Sequence, residues 1–125
     1  MSDADIWPSE IRLLEAGRRL KVSFENGECY ELTAEHLRVR SPSAEVQGHS
    51  PEERRTVGGK RDVAIMTIEP VGHYAVRLGF DDLHDTGIYT WPYLHALGVG
   101  GERDFAAYLQ ELAEKGLDRD RPGER

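Results

Sequence analysis

Between positions 20 and 37 the chain alternates apolar and polar residues as a pair of extended strands requires. Leu20, Val22 and Phe24 share one parity and Lys21 and Ser23 the other, the period-two pattern of a half-buried strand. Asn26-Gly27 follows, a pair suited to the positive φ values of a two-residue type I′ turn, and Tyr30 and Leu32 form the apolar face of the return strand. Thr33 can accept a hydrogen bond from a free N–H of the next helical turn, so a short helix is predicted over Ala34 to Val39. The same order recurs downstream: Tyr74, Val76, Leu78 and Phe80 alternate, Asp81-Asp82-Leu83-His84 turns, Ile88-Tyr89 returns, and Thr90 caps a helix beginning Trp91-Pro92-Tyr93-Leu94. Phe24 and Thr33 are nine positions apart and Phe80 and Thr90 ten; one extra residue near Gly87 is what a β-bulge adds. An internal duplication accounts for the likeness, and so does the ordinary recurrence of a hairpin followed by a capped helix.

Asp62 to Glu69 carries apolar residues on both parities, the pattern of a central strand covered on both faces. Residues 44–61 hold Gly48, Pro51, Gly58 and Gly59 among polar and charged residues and read as a mobile loop. Phe105, Tyr108, Leu109 and Leu112 recur at helical spacing, Glu111 precedes Lys115 by four, and Gly116 is placed just past the helix end. The expected fold is α+β, a mostly antiparallel sheet of five or six strands with two or three helices on one side. It comprises an extension at 1–6, a single domain at 7–116, and a disordered charged tail at 117–125.

Composition narrows the function. Of the 125 residues, 38% are hydrophobic and 31% charged, which suits one soluble core. No apolar run approaches the roughly 20 residues a bilayer helix needs. The start, Met1-Ser2-Asp3-Ala4-Asp5, is acidic where a signal peptide is basic, so no membrane and a cytoplasmic location are expected. Cys29 is the single cysteine, which excludes an internal disulfide and any zinc site built on several thiolates. A net charge of −7 disfavours nucleic acid as a partner. No nucleophile elbow, phosphate loop or dinucleotide fingerprint occurs, Cys29 lies on a predicted strand, and the acid pairs Asp81-Asp82 and Glu52-Glu53 read as solvated turns. No enzymatic activity and no cofactor are expected.

A series of ordered motifs adds to this reading: Trp7-Pro8-Ser9-Glu10-Ile11, the run from Leu37 through Ser41-Pro42-Ser43-Ala44-Glu45, Gly59-Lys60-Arg61-Asp62-Val63, Glu69-Pro70-Val71-Gly72, and His84-Asp85-Thr86-Gly87-Ile88-Tyr89-Thr90-Trp91. From Trp7 to Gly98 the chain resembles the gamma-butyrobetaine hydroxylase-like N-terminal domain family, also called DUF971. In the hydroxylases this domain precedes a separate catalytic domain holding iron and 2-oxoglutarate, which has no counterpart in these residues. The resemblance also implies a zinc site, built in the hydroxylases from a Cys-Pro-Cys-x-x-Cys run and a later histidine. The matching positions here are Ser41, Ser43 and Val46 with His84; hydroxyls are poor zinc ligands and valine has no donor, so no metal is expected. Similar domains are joined to iron–sulfur carrier P-loop ATPases, which implies an accessory role in iron–sulfur or iron metabolism and a protein partner such as a carrier ATPase or related assembly factor.

Two sets of candidate residues follow. The alternative to a pure interaction domain is iron or zinc binding at His84 with oxygen ligands, with Asp85 beside it and His49 folding over. Adjacent strand residues point to opposite faces, and the plainer reading of His84 is a turn residue bonding the backbone. His36, His73 and His95 read as solvated or capping residues. The partner surface is expected at Tyr89 and Tyr93, with Trp91 and Leu94 in the core. Arg54, Arg55, Lys60 and Arg61 form a basic cluster, either solvated or suited to an acidic or phosphate-bearing partner.

Overall fold

The computed structural model describes residues 6–120. Strands β1 (Pro8–Leu14), β2 (Arg19–Phe24) and β3 (Cys29–Thr33) form one antiparallel sheet in that order, and β4 (Ile65–Val71), β5 (Ala75–Phe80) and β6 (Gly87–Thr90) form a second. Helix α1 (Ala34–Val39) follows the first sheet and α3 (Trp91–Val99) the second; α2 (Ala44–Gln47) lies between them and α4 (Gly101–Glu114) comes last. The fold is α+β, but its strands divide into two sheets of three where one of five or six was expected. The reason lies in the core. Each sheet has one apolar face, and Leu20, Val22 and Phe24 from the first meet Val76, Leu78 and Phe80 from the second in a single cluster.

The two halves repeat one another bond for bond. Phe24 donates its N–H to Glu28 O (2.8 Å) and accepts from Gly27 N–H (3.0 Å); Phe80 donates to His84 O (2.9 Å) and accepts from Leu83 N–H (3.0 Å). Asn26 Oδ1 accepts from Glu28 N–H, as Asp82 Oδ1 does from His84 N–H. The register slips by one residue opposite Phe24 and again opposite Phe80. Thr33 Oγ1 caps α1 by accepting from His36 N–H (3.1 Å), and Thr90 Oγ1 caps α3 by accepting from Tyr93 N–H (3.3 Å). This match favours the duplication reading. In place of the expected type I′ turn, only one residue per turn takes positive φ, Gly27 at 95° and Leu83 at 73°, the three-residue hairpin with a bulge. Leu78 pairs with Gly87 while Phe80 bonds His84, so the extra residue of the second hairpin lies at 85–86, just ahead of Gly87.

The helices are exchanged between the halves. α3 packs on β3 of the first sheet, where a Cβ on Gly98 would stand 2.5 Å from the Tyr30 ring, and His95 Nε2 bonds Glu28 (2.7 Å) in the first hairpin turn. α1 turns to the second sheet: the Tyr89 hydroxyl donates to Leu37 O (2.6 Å) and Arg38 Nε to Asp82 (2.8 Å). Arg38 and His95 each lie five residues after their capping threonine, and each reaches the other half's turn.

Several expectations change in detail. Residues 62–69 do not form a central strand; β4 is an edge, and Met66 is 65% exposed. The bulge reverses the strand's parity, so Ile65 and Ile68 both pack on the core although one is odd and the other even, which imitates a strand covered on both faces. β1 ahead of Leu20 was not anticipated; its Ile11 and Leu13 pack against the same core. The 44–61 segment carries α2 and a 3-10 turn (Pro51–Glu53), and buries Val46. Gly116 closes α4 as expected, with φ 70° and bonds from Gly116 and Leu117 N–H to Ala113 and Leu112 O. Glu111 pairs with Arg40 and Arg54 rather than Lys115. Residues 117–120, expected in the tail, are tied down: Arg119 makes two bonds to Glu35, and Arg61 N–H donates to Arg119 O. Residues 121–125, and the extension up to residue 5, lie outside the described residues. No helix among the described residues is long and apolar enough to cross a membrane.

Candidate functional site

After α1 the chain turns at Ser41-Pro42-Ser43 and approaches the second hairpin. Ser43 starts α2 by accepting from Glu45 N–H (3.1 Å) and contacts Thr86 Oγ1 at 2.7 Å. Ser41 Oγ lies 2.8 Å from His84 Nε2, and Glu45 Oε1 lies 3.0 Å from His84 Nδ1. A carboxylate only accepts, so a neutral His84 carries its proton on Nδ1 towards Glu45, and the Ser41 hydroxyl donates to Nε2. Ser41 Oγ in turn accepts from Ser43 N–H (3.2 Å). Burial lowers the His84 pKa, Arg38 lowers it further, and Glu45 opposes both.

This depression has a pH consequence. An unfolded His84 gains its proton as pH falls through about 6.5, while the folded one resists until lower pH, so protons bind the unfolded state preferentially. The contribution is fully present above pH 7 and is lost as pH falls through the folded pKa. Wild-type urea midpoints should therefore fall more steeply between pH 7 and 5 than those of His84→Gln; parallel curves would contradict this.

The positions matching the family's zinc site do come together here, but as a hydrogen-bonded staple. Ser41 and Ser43 present hydroxyls already engaged with His84 and Thr86, and Val46 is buried with no donor atom. These residues do not fit the family's zinc. Among the described residues no three His, Cys, Asp or Glu side chains group as a metal site. Asp85 is exposed and does not bond His84, and His49 is exposed with its N–H bonded to Glu53 (2.7 Å). The His84 ring bonds side chains rather than the backbone. His36 and His95 are not solvated: His36 is buried with Nε2 2.7 Å from Asp104, and His95 is half-buried against Glu28. The connectivity Ser41–His84–Glu45 matches that of a serine nucleophile with its base and orienting acid. Ser41 is nevertheless 0% exposed, so no substrate carbonyl can reach Oγ, and the arrangement joins the two halves instead.

Of the expected partner surface, Arg55 and Arg61 are exposed, but the two tyrosines are not. Tyr89 is fully buried, because it lies opposite Val76 on the inward face of β6. Tyr93 is half-buried and donates to Arg40 O (2.5 Å). Leu94 is buried as expected, while Trp91 is half-buried with its indole N–H bonded to His73 O (2.9 Å). Arg54 pairs with Glu111, Lys60 with Asp82 and Arg61 with Asp120; only Arg55 of the four is exposed without a side-chain partner among the described residues.

A different feature is open. Between β3 and α4 runs a groove of about 490 Å³ floored by Leu32, Phe105, Ala106 and Leu109, with Glu31 and Glu102 at its margins. Tyr108 and Leu112 of α4 enter a second apolar cluster with Val39, while Leu109 remains 39% exposed. The sequence shows these four apolar positions recurring at helical spacing; their spread around the helix is the signal that one contact does not cover them all.

Solved structures similar to the chain include two NMR solution structures. One is 45% identical, with 96% of this chain and 94% of that one covered and a TM-score of 0.79. The other is 39% identical, with 96% and 89% covered and a TM-score of 0.80. The 1.93 Å crystal structure of a protein of unknown function from Acidithiobacillus ferrooxidans ATCC 23270, in the DUF971 family, is 44% identical over 73% of this chain and 91% of that one, with a TM-score of 0.61. No curated protein matches the chain. The family model described as gamma-butyrobetaine hydroxylase-like, N-terminal, matches residues 11–95, and the chain belongs to that family.

Proposed function

We propose that the chain is a non-catalytic accessory domain that binds a protein partner and serves iron–sulfur or iron metabolism. The observation that carries the binding role is the open apolar groove beside α4, since exposed apolar surface margined by charge is what partner sites expose. The link to iron–sulfur chemistry rests on the family arrangement in which similar domains are joined to carrier ATPases, and a carrier ATPase or related assembly factor is the partner to try. Leu109→Asp places a charge on the groove floor at an already exposed position. It should weaken binding to a purified iron–sulfur carrier ATPase at least about tenfold, with circular dichroism and melting temperature near wild type. Equal binding by the variant would remove the groove from the proposal, and no binding by wild type would remove this partner. The competing reading, iron or zinc at His84 with Glu45 as an oxygen ligand, predicts near-stoichiometric metal that disappears in His84→Ala. Elemental analysis of protein purified without chelators or a histidine tag distinguishes the two.

A further inference from the structure

The edge of β3 that borders the groove has backbone groups to offer. At one end of the β2–β3 ladder Phe24 N–H bonds Glu28 O, and past the other Ala34 N–H bonds Arg18 O (2.8 Å). Hydrogen-bonded pairs alternate along an antiparallel ladder, so Val22 with Tyr30 and Leu20 with Leu32 exchange bonds. Cys29 and Glu31 then turn both N–H and C=O, and Thr33 its N–H, towards the open edge. Among the described residues no turn, loop or cap bond reaches these groups.

The second half shows a segment lying against the corresponding strand through side-chain contacts. With the extra residue at 85–86 allowed for, Gly87 corresponds to Tyr30, and Ser41, eight residues after Thr33, corresponds to Gly98, eight after Thr90. The close approaches match: a Cβ on Gly98 would meet Tyr30, and one on Gly87 would meet Ser41 Oγ at 2.5 Å. In the second half the chain continues past this point as Ser41-Pro42-Ser43, with Ser43 extended at φ −60°, ψ 144° and bonded to Thr86, and covers the start of β6. In the first half the chain instead leaves through Gly100-Gly101 into α4, and the corresponding edge stays open beside the groove.

Resting on the binding-domain reading, we infer that this groove accepts an extended segment of a partner protein that adds as a strand to the β3 edge, placing apolar side chains over Phe105 and Leu109 and Lys or Arg side chains against Glu31 and Glu102. Main-chain bonds to the edge supply affinity in this mode and alternate side chains supply specificity. A second copy of this chain fits less well: two β3 edges related by a two-fold at Glu31 would set Glu31 against its own counterpart, and like charges directly opposed are destabilising.

The probe is the acetylated, amidated peptide Lys-Val-Lys-Val-Lys-Val-Lys, titrated into the full chain labelled with ¹⁵N. Amide shifts should concentrate at Cys29, Glu31 and Thr33 and along residues 101–109. N-methylation of the valine amides, or of the lysine amides, whichever set faces β3, should weaken binding about tenfold by removing the edge bonds. Glu31→Lys, an exposed change that leaves the core intact, should weaken it at least about fivefold. If both N-methylated peptides bind as tightly as the parent at the same amides, strand addition is wrong while the groove remains a binding site. If no amide in the groove responds at millimolar peptide, the inference fails, and the Leu109→Asp comparison on the carrier ATPase still judges the binding-domain reading separately. Concentration-dependent shifts along β3 without peptide would replace the partner by a second copy.

Discussion

Tyr89→Ala is expected to cost about 3–5 kcal/mol, the range for emptying a large aromatic from a packed core. The ring is 0% exposed and belongs to the cluster that joins both sheets, and its hydroxyl donates to Leu37 O at 2.6 Å. Burial of this phenol also raises its pKa well above the ordinary tyrosine value. For a domain whose total stability is typically about 5–15 kcal/mol, a loss of this size leaves little margin. Tyr89→Phe keeps the ring and removes only the hydroxyl; leaving the Leu37 carbonyl without that donor should cost about 1–2 kcal/mol. Urea unfolding of the three proteins measures both steps. A Tyr89→Ala loss under 1 kcal/mol, with partner binding abolished, would return this residue to the surface role that sequence alone suggested.

Gly17→Ala is expected to be nearly as damaging, for a different reason. Gly17 has φ +89°, and a Cβ there would collide with the carbonyl oxygen of Ile65. That oxygen is backbone at the start of β4, so no rotamer change relieves the contact. The left-handed conformation costs a non-glycine residue about 1–2 kcal/mol, and forced overpacking adds about 1–3 kcal/mol. Gly27 provides the control. Its φ is +95°, but nothing lies within 4 Å of its Cβ position, so Gly27→Ala should show the conformational cost of about 1–2 kcal/mol alone. Comparable melting temperatures for the two variants would mean that the sheets can part at Gly17.

Local signals in the sequence were accurate wherever a few neighbouring residues decide the outcome. Thr33 and Thr90 cap the helices assigned to them, α1 has its predicted limits, and Gly116 ends α4. What stayed hidden depends on distant partners. The Ser41–His84 bond spans 43 positions; the family resemblance brings the two residues together, but their own neighbours do not indicate a bond. Ile88 and Tyr89 lie on opposite faces of one short strand, and which face is inward follows from Val76 and Leu37 rather than from their own chemistry. The bulge at Met66 reversed a parity that pattern reading takes as constant. The groove escaped notice because it is defined by what does not cover Leu109 and the β3 edge.

The exchange of helices also bears on cooperativity and folding speed. The Leu37–Tyr89 bond joins residues 52 positions apart, Arg38–Asp82 44, and Glu28–His95 67. Melting either half uncovers the other's sheet, so unfolding is expected to follow a single two-state transition. Closing loops of that length before any shared core forms places the chain among the slower folders of its size.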